Sequence, residues 1–391
     1  MLPLSNINVI ALEQAVAAPF CSRQLADLGA RVIKIERPKV GDFARDYDQT
    51  VKGQSAYFVW LNRSKESLTL DVKHPQAQEI LGKLIASADV FIQNLAPGAA
   101  KRLGLGADAL RAKHPRLIVC DISGYGDTGP YAKKKAYDLL VQSEAGVLSV
   151  TGTPESPAKV GVSITDIGTG LHAYAAILGA LYNRERTGEG TRIDLTMFET
   201  MTEWMGHPLY YTHYSGKAPR RSGPDHATIV PYGRFRAKDG EVMFGIQNER
   251  EWASFCDKVL GQPQLANDAR YDNNTKRTAA RAEVVALIEK TFGAWTAAEV
   301  VSKLDAADIA NARLNAPDEV WNHPQLKARK RWREVETPGG VIPALLPAAT
   351  FEGIEARMDP VPAVGAQTDS ILAELGYGAA EIEKLKAAGA V

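Results

Sequence analysis

Short apolar runs alternate with amphipathic stretches along the first half of the chain. Val9–Glu13 is a compact, mostly apolar run that reads as a strand. Pro19 then opens a helical pattern that closes near Gly29, with proline at a helix start and glycine at its end. Val32–Ile35 and Val90–Ile92 read as further strands, with a helix over His74–Ala88 between them. Leu117–Ile122 follows a third helical region. This rhythm predicts an α/β fold, a parallel sheet covered by helices. Asp166–Arg184 is a long helix, because Ile167, Leu171, Tyr174, Leu178 and Leu181 recur at steps of four and three. Arg192–Met197 reads as a strand after it.

The pattern changes near Gly216. Lys217–Pro224 is basic, holds proline and glycine, and reads as a linker. Tyr232–Ala237 and Glu241–Ile246, joined by Lys238-Asp239-Gly240, form a hairpin signal. Helical segments follow at Glu249–Leu260, Ala279–Phe292 and Ala297–Leu304, so residues 216–330 read as a smaller α+β domain after a large domain over residues 1–215. From Arg331 the chain is strand-like, then closes with helices Asp369–Leu375 and Ala380–Ala388.

Composition narrows the classes. The 391 residues are too many for one ordinary core. Lys+Arg and Asp+Glu both total 46, so nothing favours a nucleic-acid or acidic-membrane partner. Cys21, Cys120 and Cys256 are far apart and form no CxxC pair, which argues against a disulfide framework or a zinc site and suits a reducing cytoplasm. The first residues lack a secretion signal, and no apolar stretch reaches the roughly 20 residues needed to span a bilayer.

Familiar phosphate and hydrolase signatures are missing: no GxxxxGK[ST], no GxGxxG after the first strand, no HExxH, no GxSxG. Four candidate places stand out. Val16-Ala17-Ala18-Pro19 puts small residues at a helix start, either a tight turn or a place where an anionic ligand meets the backbone. Arg37 follows the second strand, at the edge where open α/β sheets bind ligands. Asn94–Leu103 places a Pro-Gly turn ahead of Arg102. Ser123–Gly146 carries a glycine turn around Tyr125, then Lys133, Lys134 and Lys135, then Tyr137-Asp138 before an apolar run. Asp138 sits where a helix cap sits. The helix start and the lysines would favour its ionised form, so it is either a cap or a carboxylate nucleophile. No histidine pattern makes a triad. His226, in Gly223-Pro224-Asp225-His226, is the one closest to a plausible site.

Together these segments resemble the family III CoA-transferases, the CaiB/BaiF group that includes formyl-CoA and carnitine CoA-transferases. The carriers are QAVAAPFCSRQLADLGARVIKIERPKVGD from Gln14, LNRSKESLTLDVK from Leu61, NLAPGAAKRLGL from Asn94, SGYGDTGP from Ser123, AYDLLVQSEAG from Ala136, the run from Ile164 to Met197, and TDSILAELGY from Thr368. The resemblance covers nearly the whole chain. It implies a Rossmann-like large domain built from both chain ends, so residues 331–391 return to it, a small middle domain, and an interlocked homodimer. No permanently bound cofactor or metal is implied; CoA or an acyl-CoA is a substrate.

The resemblance also implies that Asp138 is the nucleophile. Its carboxylate attacks a donor thioester to give an acyl–aspartyl anhydride and CoA thiolate, which returns to form an aspartyl-CoA thioester that the acceptor acid then attacks. Val16 and Ala17 match backbone contacts beside the catalytic group, and Arg37 matches a residue at the nucleotide end of CoA. Leu70 and Lys73 bracket the adenine-side turn, Asn94, Leu95 and Ala96 form the next loop, and Arg102 matches a phosphate-binding arginine. Tyr125 matches an aromatic of the following loop, and Tyr57 one beside the acyl pocket.

Two departures bear on the substrate. Formyl-CoA transferases carry Gln where this chain has Val16, and a run of four glycines where it has Gly223-Pro224-Asp225-His226 nearby. Both argue against oxalate and formate. Racemases of the same superfamily carry His where Tyr137 stands, paired with a second acid that Asp166 resembles; a racemase-type reaction is the alternative. The segments from Val16 and from Phe244 look most like members using C4–C5 dicarboxylates. Succinyl-CoA would be the donor, with itaconate, mesaconate, citramalate or malate as acceptor. Arg45, His226 and Gln247 are candidates to anchor the distal carboxylate.

Overall fold

A computed structural model describes all 391 residues, which form two compact units. The first holds residues 1–147, 160–207 and 326–391; the second holds 148–159 and 208–325.

The first unit is built on six parallel strands, β1 (Asn8–Leu12), β2 (Arg31–Glu36), β3 (Lys65–Thr69), β4 (Val90–Gln93), β5 (Ile118–Ser123) and β6 (Arg192–Thr196), in the order β3-β2-β1-β4-β5-β6. Alternate residues of each strand serve opposite faces, as a two-residue period requires. Ile10, Leu12, Ile33, Ile35 and Phe91 pack on one face, where helix Pro75–Ala86 and the two C-terminal helices Thr368–Glu374 and Ala379–Ala387 lie. Val9, Ala11, Val32, Val90 and Ile92 serve the other face, covered by α1 (Ala17–Asp27) and a long helix over residues 164–187. Both faces of the central strands are buried, which is why β1, β4 and β5 are mostly apolar.

The strand order reverses between β1 and β4, so the loops after these strands diverge and leave a crevice at the carboxyl edge. Open α/β sheets bind ligands in such a crevice. The C-terminal segment closes the β3 side: Gln367 Oε1 accepts from Ser67 N at 2.8 Å, and Thr368 Oγ1 accepts from Thr69 N at 3.1 Å. A two-stranded antiparallel hairpin, Trp332–Val335 with Ile342–Leu345, belongs to the same unit.

Strand β3 was not anticipated. Lys65 breaks its apolar pattern, yet the side chain is fully buried because Nζ donates to Glu13 Oε1, Asn62 Oδ1 and the Pro19 carbonyl. The long helix also starts earlier and ends later than its apolar stripe, at Ile164 and Thr187.

The second unit has a three-stranded antiparallel sheet, β7 (Tyr232–Arg236), β8 (Glu241–Gly245) and β9 (Asn311–Arg313), in sequence order. Phe235, Phe244, Trp252, Phe255 and Phe292 form its core. Helix Glu249–Ser254 widens into a π turn over Phe255–Val259. The unit's limits differ from the 216–330 read from the pattern. Residues 148–159 join it because Gly223 N donates to Gly152 O at 2.8 Å and Arg221 Nε to Thr153 O at 2.8 Å. No helix of the chain is long and apolar enough to cross a membrane.

Candidate active site

Asp138 is the first residue of helix α2 (Asp138–Glu144), after Tyr137 in an extended conformation. It does not cap its own helix. Its carboxylate reaches the start of α3 (Ile164–Thr187), where Oδ1 accepts from Thr165 N at 2.8 Å and Asp166 N at 3.3 Å. Oδ2 accepts from Gln142 Nε2 at 2.7 Å. Gln142 is one helical turn along α2, fully buried, and its oxygen accepts from Val160 N at 3.0 Å. The carboxylate thus meets three neutral N–H groups, two of them at a helix N-terminus. Lys134 is not one of its donors; it pairs with Glu144 at 2.8 Å.

Asp166 lies beside it, half-buried in the first turn of α3. Burial and the charge of Asp138 push its carboxyl up to about 7. Tyr57 reaches the same helix start, its hydroxyl 3.4 Å from Ser163 Oγ.

The loop after β1 is gripped from two sides. Asn94 Oδ1 accepts from Gln14 N at 2.9 Å and its Nδ2 donates to Gln14 O at 2.8 Å. Asp42 Oδ1 accepts from Ala15 N at 3.1 Å. Ala15 is held at φ 64°, a conformation that costs a non-glycine residue about 1–3 kcal/mol and persists only where its surroundings impose it. Behind the loop, Lys34 Nζ donates to Asp42 Oδ2 at 2.8 Å, and Glu13 accepts from Lys65 Nζ at 2.8 Å and Ser22 Oγ at 2.6 Å. These charges are all buried, and each has a partner.

The loop also touches α3. A Cβ on Gly170 would stand 2.5 Å from Ala17 O, so only glycine permits this approach. Val16 and Ala17 are therefore held against the helix whose start carries Asp138's hydrogen bonds.

A cavity of about 720 Å³ opens beyond β4 and β5. Leu95, Ala96, Arg102 and Tyr125 line it together with Lys101 and the Lys133–Lys135 run. The three lysines are exposed and line the cavity's rim. The Tyr125 hydroxyl is buried without a partner, and its ring stands edge-on to Tyr131 at 5.2 Å. Arg192 pairs with Asp121 at 3.0 Å, and Lys101 with Asp127 at 3.1 Å. Arg102 is exposed and makes only a long 3.5 Å contact to Pro97 O.

Arg37, Leu70 and Lys73 fall just past β2 and β3, on the same carboxyl edge. Leu70 is buried in the core, so a ligand could meet only its backbone. Arg37 is exposed and folds back onto Gly41 O at 3.1 Å. The Arg45 side chain is engaged by the protein itself. Its guanidinium grips Glu36 through two hydrogen bonds of 2.9 and 2.7 Å, reaches Pro362 O, and lies 3.7 Å over the Phe58 ring. A buried Glu36, held down to about 2 by this pairing against the opposing effect of burial, demands that partner. His226 and Gln247 belong to the second unit; His226 stacks on Tyr232 at 5.2 Å, and its Nδ1 accepts from Ile229 N at 3.1 Å.

Gln142, Thr165 and Asp42 were missed. Gln142 carried a signal, a lone amide four residues past Asp138 in an apolar run. Thr165 acts through its backbone N–H and carried none, and the carboxylate of Asp42 has its partners, Ala15 N and Lys34 Nζ, elsewhere in the sequence.

The profile of CoA-transferase family III matches residues 4–368. The chain belongs to that family, and it is a CoA-transferase. The succinyl-CoA:glutarate CoA-transferase of Mus musculus is 33% identical over 396 residues, covering 100% of this chain and 91% of that protein. The acetyl-CoA:oxalate CoA-transferase of Acetobacter aceti is 37% identical over 329 residues, covering 84% of each. A crystal structure of a CaiB/BaiF family protein from Brucella suis superposes with a TM-score of 0.84 at 34% identity, covering 96% of this chain and 99% of that one. For a CoA-transferase, an acyl-CoA and a carboxylic acid are the substrates.

Proposed function

We propose that this CoA-transferase moves CoA from succinyl-CoA to a small dicarboxylic acid, with Asp138 as the covalent nucleophile. The observation that carries the reading is the hydrogen bonding of its carboxylate. Two backbone N–H groups hold Oδ1, while Oδ2 accepts only from Gln142 and keeps a lone pair.

The chemistry follows from that geometry. Oδ2 attacks the thioester carbonyl of the donor, the C–S bond breaks, and an anhydride and CoA thiolate result. The thiolate then attacks Cγ of Asp138. Negative charge develops on Oδ1, where the N–H groups of Thr165 and Asp166 already point, and preorganised donors of this kind lower such barriers. The donor acid leaves, and aspartyl-CoA remains. The acceptor carboxylate attacks Cγ, and CoA recaptures the acceptor acyl group from the new anhydride. Every step keeps an activated acyl bond, so no nucleotide is consumed. Val16, Ala17, Asn94, Leu95, Ala96, Arg102 and Tyr125 would bind CoA along the crevice and cavity, with Arg37, Leu70 and Lys73 toward its adenine end and Tyr57 beside the acyl group.

The glutarate-using relative supports a dicarboxylate of four or five carbons, and itaconate, mesaconate, citramalate and malate fit that class. The oxalate-using relative requires oxalate in the same panel. His226 and Gln247 remain candidates for the distal carboxylate. An interlocked homodimer would cover Leu171, Tyr182 and Trp204, which are large and exposed. We also assign residues 216–330 the role of the small domain and residues 331–391 that of the returning segment. Three buried free thiols suit a reducing cytoplasm.

Incubation with succinyl-CoA, followed by hydroxylamine, tests the reading. Mass analysis should show a hydroxamate at Asp138 alone, and a panel of acids should yield a new acyl-CoA. An active enzyme with Asp138 unmodified ends the nucleophile assignment.

A further inference from the structure

Asp138 accounts for the covalent steps, but nothing yet handles the free thiol of CoA between them. We infer that Asp166 carries a proton for the sulfur: as a carboxylic acid it protonates the thiolate displaced when Asp138 is acylated, and as a carboxylate it takes that proton back when the thiol attacks the anhydride. This rests on Asp138 being the nucleophile. The balance is closed. The S–H bond made in the first step is broken in the second, Asp166 ends as it began, and no further reactant is needed.

Position is the first argument. Asp166 and Asp138 share one helix start, and Asp166 N donates to Asp138 Oδ1 at 3.3 Å. Asp166, half-buried in the first turn of α3, therefore adjoins the carboxylate that displaces the sulfur from the donor and whose Cγ the sulfur then attacks. Its surroundings are the second. Asp138 faces it from α2. Tyr47, from the turn after Asp42, interacts with it, and Tyr57 and Tyr137 gather around Tyr47. Burial and the Asp138 charge are what act on the Asp166 carboxyl. It is held up to about 7, near the range of an ordinary thiol, where proton exchange is efficient.

The third argument is a coupling. The charge on Asp138 is one of the two causes that keep the Asp166 proton on. Acylation removes that charge. Asp166 therefore becomes a stronger acid at the moment a thiolate appears, and a weaker one when Asp138 is free again. Two carboxyls in one place, one of them reacting, make the second an acid timed by the reaction.

The experiment is rapid-quench formation of the Asp138–CoA adduct from succinyl-CoA, read by intact mass from pH 5.5 to 9. Wild-type enzyme should lose rate above about pH 7. Asp166→Asn, which keeps size and neutrality, should be about 10²-fold slower or more and lack that break. Asp166→Glu should recover part of the rate and show a break of its own. An Asn variant with wild-type rate, or a slow one that keeps the break, overturns the inference. No adduct in the wild-type enzyme overturns the nucleophile reading and this inference with it. An adduct that forms regardless of residue 166 overturns this inference alone.

Discussion

Gln142 Nε2 donates to Asp138 Oδ2 at 2.7 Å, while Gln142 Oε1 accepts from Val160 N at 3.0 Å. One buried amide thus orients the carboxylate and ties the chain entering α3 to α2. Its flip state is set by the two partners, since only one orientation satisfies both.

Gln142→Leu should therefore cost stability and activity together. The hydrogen bond between Val160 N and Gln142 would be lost, at a cost of about 1 kcal/mol. Thermal unfolding should shift down, and kcat should fall about tenfold or more as Asp138 loses a donor. Unchanged kcat in the folded variant would remove Gln142 from the site.

Arg102 is expected to act on CoA affinity. It is exposed beside the cavity and has no ion partner in the chain. Arg102→Ala should raise KM for acyl-CoA about tenfold, leave kcat nearly unchanged, and leave the melting temperature within a degree or two. That split is the signature of binding lost equally in ground and transition states.

Arg45 should behave in the opposite way. Arg45→Met leaves Glu36 buried without its cation, which costs about 3–5 kcal/mol. Arg45→Lys, which keeps the charge but not the bidentate fork, should destabilise less, with KM for the acceptor acid unchanged. A selective rise of that KM would restore Arg45 as a substrate anchor.

Gly170→Ala tests the approach of α1 and α3. The added Cβ would meet Ala17 O at 2.5 Å, so the helices must separate. A loss of about 1–3 kcal/mol is expected. Acyl transfer should fall as well, because Val16 and Ala17 move away from Asp138.

Stability should carry a trace of Asp166. Its carboxyl is held near 7 in the folded protein and would lie near 4 when unfolded. Between those values the folded state binds more protons, so this residue's contribution is fully present below pH 4 and is lost as pH rises to 7. Relative to wild type, Asp166→Asn should be more stable at pH 8 than at pH 5. Chemical unfolding at the two pH values measures this, and an equal difference at both would contradict it.

The sheet was largely legible. Val9–Glu13, Val32–Ile35, Val90–Ile92 and Leu117–Ile122 are mostly apolar and bounded by turns, and local pattern suffices for such strands. Lys65–Thr69 escaped because its buried lysine is tolerated only through Glu13 and Asn62, residues apart in sequence from it or invisible as partners. The Arg45–Glu36 pair was hidden for the same reason: an arginine near a sheet edge looks free until Glu36 is seen beside it.

Asp138 divides the two kinds of information most clearly. Residue type, its place before an apolar run and the family-like segments around it are properties of the sequence, and they sufficed to single it out. That its carboxylate caps a helix starting 26 residues later, and shares that start with a second carboxyl, was decided by tertiary packing. Hydrogen bonds to backbone N–H groups carry no side-chain signature, and a carboxyl's acidity depends on which charges and how much water surround it. Both exist only once the chain has brought α2, α3 and the loop after β1 together.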